Sequence, residues 1–73
     1  MFLSELKENQ SGVVEFCESE TAFGRRLCDM GFRKGERVLC VKRGVFKSPI
    51  VYGVCGSLVA LRKADADKIE VVL

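Results

Sequence analysis

Cysteine has the most varied potential chemistry of any residue type in this chain, because thiols bind metals, form disulfides and act as nucleophiles. The 73-residue sequence has four cysteines and no histidine. Cys17, Cys28, Cys40 and Cys55 include no C-x-x-C pair, the spacing typical of zinc ribbons and redox motifs. We therefore interpret them as small apolar core residues or partly exposed thiols. An alternative is a four-thiolate site for iron or zinc. Apart from that alternative, we expect no cofactor.

The other reactive residues form no recognisable catalytic set. A nucleophile needs an adjacent base, and histidine, the commonest one, is absent. The segment that opens the expected helix, Glu18 to Thr21, contains two glutamates, which would repel a phosphate rather than bind it. Asp65 and Asp67 are two residues apart, so they would diverge on a helical turn. We predict that the protein is not an enzyme.

Basic residues are concentrated in the middle of a chain whose net charge is only +2. The loop from Gly44 to Ser48 adds two apolar side chains to this basic region. Exposed apolar loop tips beside charges often mark interaction sites. The tentative partner-binding residues are Arg33, Lys34, Val45, Phe46 and Lys47. We predict that they dock an acidic protein surface.

Two other interpretations of this region remain open. The charges could form an ordinary solvated surface, with the loop folded over one open end of a barrel. A small, positively charged barrel could also bind nucleic acid. Aromatic residues do not alternate with the charges as single-strand binders require, so nucleic acid is not the expected partner.

The elements that must position these residues follow from glycines and apolar spacing. Phe23, Leu27 and Met30 share one face of a helix that begins near Ser19 or Thr21 and ends at about Met30. Gly31 suits the left-handed position after a helix, and Phe32 can fold back onto the apolar face. Gly24 lies inside the helix, which indicates that another group packs closely against it.

Short strands account for the rest of the chain. They are expected at residues 13–17, 36–43, 50–54, 58–61 and 69–73, with a helix-leaning piece at residues 63–67. In the second strand Val38 and Cys40 point one way and Leu39 and Val41 the other, so both faces should be partly covered. Leu3 and its neighbours should form a helical turn or a short strand that seals an edge.

This pattern predicts a single domain over residues 1–73. It is mostly β with short helices, forming a small barrel of about five strands with a helix inserted after the first strand. No apolar run approaches the roughly 20 residues of a membrane span. We expect a cytoplasmic protein that is not inserted in a membrane.

With these motifs in place, the chain resembles the FeoA family of small ferrous iron transport proteins. The resemblance rests on Leu27-Cys28-Asp29-Met30-Gly31, Gly35, Pro49-Ile50, the run from Leu58 to Arg62, and Ile69-Glu70-Val71. It covers the chain from about Leu3 to Val72. It implies an SH3-like barrel with an inserted helix and a regulatory or scaffolding role in iron uptake.

The resemblance also implies a partner, the membrane ferrous iron permease FeoB with its cytosolic GTP-binding region. The protein would then be recruited to the inner face of the membrane. The family loop before the proline commonly reads proline-leucine-glycine-aspartate, whereas residues 45–48 read Val-Phe-Lys-Ser. This departure removes an acidic residue. Because a small barrel with an exposed edge strand can self-associate, a homo-oligomer is a further expectation.

Overall fold

Five short strands and two α-helices make up the computed structural model, which describes residues 1–45 and 48–73. After a 3-10 helix at Leu3–Glu5 come β1 (Ser11–Cys17), α1 (Ala22–Asp29), β2 (Arg37–Lys42), β3 (Ile50–Val54), β4 (Ser57–Leu61), α2 (Lys63–Ala66) and β5 (Ile69–Val72). The strands form one antiparallel sheet in the order β4-β3-β2-β1-β5. The predicted class, about five strands with a helix after the first, is confirmed.

Helix α1 begins where a hydroxyl accepts a hydrogen bond from its first turn and a carboxylate accepts from the two residues before it. Thr21 is the N-cap, and its Oγ1 accepts a hydrogen bond from the Gly24 amide at 3.0 Å. The Glu18 carboxylate accepts hydrogen bonds from the amides of Glu20 and Thr21. A Cβ at Gly24 would lie 1.9 Å from the Glu18 carbonyl oxygen, so only glycine fits there. This confirms the close packing expected from the sequence.

The end of α1 is a Schellman motif. Gly31 has a φ of 118° and its amide donates to the Cys28 carbonyl at 3.0 Å. The Phe32 amide donates to the Leu27 carbonyl at 3.2 Å. Both Leu27 and Phe32 are buried, which is the hydrophobic contact that accompanies this cap. The cap turns the chain directly into β2.

The predicted apolar face of α1 is only partly correct. Leu27 is buried, but Phe23 and Met30 are partly exposed. The helix has eight residues, and only Gly24 and Leu27 are buried. Phe23 is covered by a cation instead, since the Lys68 ammonium lies 5.2 Å from the centre of its ring.

The core takes residues from all five strands, both α-helices and the N-terminal segment. Tyr52 is fully buried and its hydroxyl donates to the Leu3 carbonyl at 3.2 Å. Its ring meets Phe32 edge-to-face, with ring centres 6.4 Å apart. The buried apolar side chains are Leu3, Leu6, Val14, Leu27, Phe32, Val38, Cys40, Ile50, Tyr52, Val54, Leu61, Ala66, Ile69 and Val71.

The N-terminal segment covers one edge of the sheet. Phe2 bridges to Glu70 of β5, the Val71 amide donates to the Met1 carbonyl at 2.7 Å, and the Met1 ammonium donates to the Val71 carbonyl at 3.1 Å. The sequence left open whether this segment forms a helical turn or covers a sheet edge. In the structure it does both. Over residues 1–45 and 48–73, no helix is long and apolar enough to cross a membrane.

Candidate protein-interaction surface

Strand β2 turns an apolar side toward solvent. Val38 and Cys40 are buried, whereas Leu39 and Val41 are 39% and 36% exposed. The pairing register with β3 shifts between Cys40 and Lys42, which leaves Val41 as an extra residue. Such β-bulges re-aim side chains and occur often beside functional sites. The face of β2 that carries Leu39 and Val41 is therefore the solvent side of the sheet, and both side chains are partly accessible.

The neighbouring strands extend this apolar surface. Leu39 lies opposite Gly53 of β3, which lies opposite Leu58 of β4, and Leu58 is 72% exposed. In the next row Val51 lies opposite Ala60. We define the apolar outer face as the six residues Leu39, Val41, Val51, Gly53, Leu58 and Ala60. Solvent-facing sheet surfaces normally carry polar residues, so this face has the character of an interaction surface.

Gly53 forms a shallow depression in the apolar outer face. A Cβ at this position would lie 3.5 Å from Val41 Cγ2 and 3.9 Å from Leu58 Cδ2, which is ordinary van der Waals contact. The missing side chain thus leaves space for about one methyl group. An apolar group of a partner could insert there.

Positive charges flank the apolar outer face at both ends of β2. Arg37 and Lys42 are exposed at its first and last positions. Arg37 Nη1 donates a long hydrogen bond of 3.4 Å to Ser11 Oγ. An apolar centre with a charged rim is the usual anatomy of a protein interface. The arrangement fits a partner whose apolar patch is bordered by carboxylates.

The three sequence-predicted docking residues that the structure describes lie at two separate places. Arg33 and Lys34 are exposed in the turn before β2, whereas Val45, which is 76% exposed, follows its far end. Six strand residues at about 3.3 Å each place roughly 20 Å between the two groups. Phe46 and Lys47 lie outside the described residues. Docking by these five residues stays a prediction, and among the described ones Arg33 and Lys34 lie apart from Val45.

A groove lies beside Val45 at the end of β2. Its volume is about 420 Å³, and it is lined by Lys42, Arg43, Gly44, Val45, Ser48, Pro49 and Val51. Val51 also belongs to the apolar outer face, so the two features are continuous. The groove widens the accessible apolar area toward the end of the sheet.

Arg43, one of the basic residues of the central region, has a structural role. Its Nη1 donates to the carbonyls of Ser4 and Leu6, both at 2.7 Å, and its backbone amide donates to Glu8 Oε1 at 3.0 Å. These bonds attach the N-terminal segment to the end of β2. Its charge is therefore engaged within the chain and is not available as a docking cation.

The four thiols occupy three separate environments. Cys17 and Cys28 are both half-buried, and burial, together with the nearby Cys28 thiol, raises the pKa of Cys17 to about 12. Cys40 is in the core, where burial raises its pKa. Cys55 is exposed, and its thiol donates to Glu36 Oε2 at 3.5 Å.

The fold therefore does not assemble the four thiolates at one point. In the part of the chain that the structure describes, no three cysteine, aspartate or glutamate side chains converge to hold a metal ion. Thiolate-bound iron or zinc stays a prediction with no preformed site of three or more ligands there. Cys40 fits the interpretation as an apolar core residue.

A second exposed apolar group lies across the sheet, near its other edge. Phe2 and Phe16 lie on either side of Glu70 in neighbouring strands, and both side chains are exposed. A carboxylate separates the two rings, so the group is less continuous than the apolar outer face. It provides a matched surface for control substitutions.

The sequence reasoning missed the apolar outer face, although the signal was present. Strands β2, β3 and β4 read RVLCVK, IVYGV and SLVAL. Charges occur only at the ends of β2, so apolar residues do not alternate with charged ones along the three strands. In an antiparallel sheet that packs only one face on the core, that pattern indicates an apolar face exposed to solvent on the other side.

Comparison with known proteins decides the family. The FeoA domain model matches residues 1–73. The chain belongs to the FeoA family. The FeoA of Stenotrophomonas maltophilia, solved in complex with zinc and described as a prokaryotic SH3 domain protein, is 39% identical, with a TM-score of 0.86 over 97% of this chain and 88% of that one. This confirms the resemblance and the SH3-like fold.

Two further FeoA-family relatives bear on the role. The iron(II) transport protein A of Clostridium thermocellum is 32% identical, with a TM-score of 0.91 over 100% of this chain and 45% of that one. A fusion of Fe(2+) transport protein A with the Fe(2+) transporter FeoB from Porphyromonas gingivalis is 36% identical over 73 residues. The match covers the whole of this chain but only 9% of the fusion protein. The family is thus associated with ferrous iron transport.

Proposed function

We propose that this protein is an accessory domain of ferrous iron uptake that docks on a FeoB-type transporter and regulates or scaffolds it without catalytic turnover. The observation that carries the proposal is the Porphyromonas gingivalis fusion, in which one polypeptide contains both a FeoA-like domain and the transporter. Covalent linkage raises the effective concentration of two modules to about millimolar, which favours contact between them. The separate chain would make the same contact by binding.

The docking surface in this proposal is the apolar outer face with its flanking cations, Arg37 and Lys42. Leu39 and Val41 lie between these two cations on β2, and apolar residues that become desolvated contribute most of the binding energy in protein interfaces. The partner surface is the cytosolic GTP-binding region, which places the protein on the cytoplasmic side of the membrane. The flanking cations would steer association with carboxylates there.

The direct test is a titration of this protein against the soluble GTP-binding region of the cognate transporter, with and without nucleotide. We expect saturable binding that Leu39→Glu weakens at least tenfold, because it places a charge within the apolar outer face. Val41→Thr, which keeps the side-chain shape, should weaken it several-fold. Phe16→Glu is the matched control on the other exposed apolar group and should bind normally. Thermal unfolding of each variant confirms that the fold is retained.

Substitutions at the sequence-predicted docking residues separate the two candidate surfaces. Arg33→Glu with Lys34→Glu, and Val45→Asp in a second variant, leave the apolar outer face intact. If these variants bind weakly while Leu39→Glu binds normally, the docking site lies at the sequence-predicted residues and not on the apolar outer face. Absence of binding to both the GTP-binding region and the full-length transporter would overturn the docking proposal itself.

A further inference from the structure

The two edges of the sheet differ in how they are protected. The edge of β5 is covered by the Met1 and Phe2 backbone. Strand β4 pairs with β3 at all five of its residues, from Ser57 opposite Val54 to Leu61 opposite Ile50. On its other side, no backbone hydrogen bond to β4 is present among residues 1–45 and 48–73. Its outward amides and carbonyls are therefore available to another strand.

The sequence of β4 does not protect this edge. Natural edge strands carry charges, proline or bulges that prevent pairing with other chains. The strand reads Ser57-Leu58-Val59-Ala60-Leu61, with no charge, no proline and no glycine, and it pairs with β3 without a bulge. Leu58, its largest exposed apolar side chain, is 72% exposed. An unprotected apolar edge of this kind is suited to adding a strand.

We propose that β4 pairs antiparallel with β4 of a second copy of this chain, giving a two-fold symmetric dimer. The observation that selects a second copy is the self-complementarity of the strand. With the two-fold axis at Val59, each Leu58 lies beside Ala60 of the second copy, so that a large side chain meets a small one twice on the outer face. Only uncharged residues face each other along the five-residue ladder.

The same register sets an arginine opposite a glycine just beyond each end of the ladder. Arg62, which is exposed, follows β4 and would lie opposite Gly56 of the second copy. Gly56 adjoins Cys55, whose thiol contacts the Glu36 carboxylate at 3.5 Å. Each end of the ladder thus places an arginine beside the turn between β3 and β4 of the other chain. The two apolar outer faces would join into one surface, so the dimer is independent of docking to the transporter but compatible with it.

The test is the mass of the purified protein in solution, measured by sedimentation equilibrium up to about 1 mM, because a short edge-to-edge interface gives a weak dimer. We expect the weight-average mass to rise from 8.1 kDa toward twice that value. Leu58→Lys and Ala60→Lys should each keep the fold, because both side chains face solvent, and shift the dimer midpoint at least tenfold. Leu73→Lys is the matched control, since Leu73 is 74% exposed away from β4.

The register itself is tested by charge complementation. The double variant Leu58→Lys with Ala60→Glu sets opposite charges beside each other across the two-fold axis, so it should dimerise better than Leu58→Lys alone. A monomeric wild-type protein over the whole concentration range would overturn the proposal. So would a dimer that is insensitive to both lysine substitutions, or failure of the double variant to recover dimerisation. None of these measurements uses the transporter, so they are independent of the docking experiment.

Discussion

At the residue scale, three glycines differ in what an added methyl group would meet. Gly31 has a φ of 118°, and a Cβ there would lie 2.8 Å from Cys55 Sγ and 3.2 Å from Val54 Cγ2. Gly35 has a φ of 92°, but a Cβ there would meet no atom of the described residues within 4 Å. Gly53 has ordinary strand geometry and only loose van der Waals neighbours. Backbone conformation and available space thus separate the three positions.

These differences predict three distinct alanine effects on the free energy of unfolding. Gly31→Ala should lower it by about 2–4 kcal/mol, because left-handed strain and overpacking add. Gly35→Ala should lower it by about 1–2 kcal/mol through strain alone. Gly53→Ala should raise it by about 0.5–1 kcal/mol, since alanine is favoured over glycine inside a strand. Urea denaturation of the three variants measures their free energies of unfolding. A stabilising Gly31→Ala would contradict this account of the helix end.

At the element scale, the N-terminal segment and the sheet are connected by one side chain. Arg43 follows β2 and donates to the Ser4 and Leu6 carbonyls on either side of the 3-10 helix end. The same segment contributes Leu3 and Leu6 to the core and covers the edge of β5. A single guanidinium therefore supports core packing and edge protection together.

Replacing Arg43 should loosen the N-terminal segment specifically. Arg43→Lys keeps the charge but cannot reach both carbonyls in the same planar geometry, so we expect a loss of about 1.5–3 kcal/mol in the free energy of unfolding. Hydrogen exchange should increase at the Val71 amide, which the Met1 carbonyl covers. Arg37→Lys is the control and should change stability by less than about 0.5 kcal/mol. Equal effects of the two substitutions would show that Arg43 is not a structural clamp.

At the scale of the whole molecule, the four cysteines report on different depths of the fold. Cys55 is exposed, Cys17 and Cys28 are partly buried neighbours, and Cys40 is in the core. Reaction with a thiol reagent requires both access and the thiolate form. Burial with the Cys28 contact raises the pKa of Cys17 to about 12, so few Cys17 thiolates exist near neutral pH.

Thiol labelling at about pH 7.5 should therefore proceed in an ordered series. We expect Cys55 to react first, Cys17 much more slowly, and Cys40 only at the rate of global unfolding. All four should react at once in denaturant. Mass spectrometry of labelled peptides with time gives the order, and Cys55→Ser should remove the fast phase alone. Labelling of Cys40 as fast as Cys55 would be incompatible with the packed core.

Much of the fold was predictable from local sequence because local chemistry determines it. Gly31 and Phe32 predicted the helix end, since only glycine takes the left-handed position without strain and an apolar residue must follow it inward. Strand β3 was predicted at the residues where it occurs, because Pro49 precedes it and glycine ends the apolar run. The exposure of Phe23 and Met30 was not predictable, because the number of side chains that a short helix buries depends on where the sheet lies.

Residue types at fixed spacing were sufficient to predict the five strands and the cap of α1, and the resemblance of the motifs to a known family indicated the family. Which surfaces are accessible, in contrast, emerged only from the folded chain. Folding placed Arg33 and Val45 at opposite ends of β2, engaged Arg43 with two carbonyls, and separated the four thiols. Among the residues that the structure describes, it also left the apolar outer face and the β4 edge uncovered. The physical reason is that sheet order and register set these relations between distant residues, and neither is encoded in any local stretch of the chain.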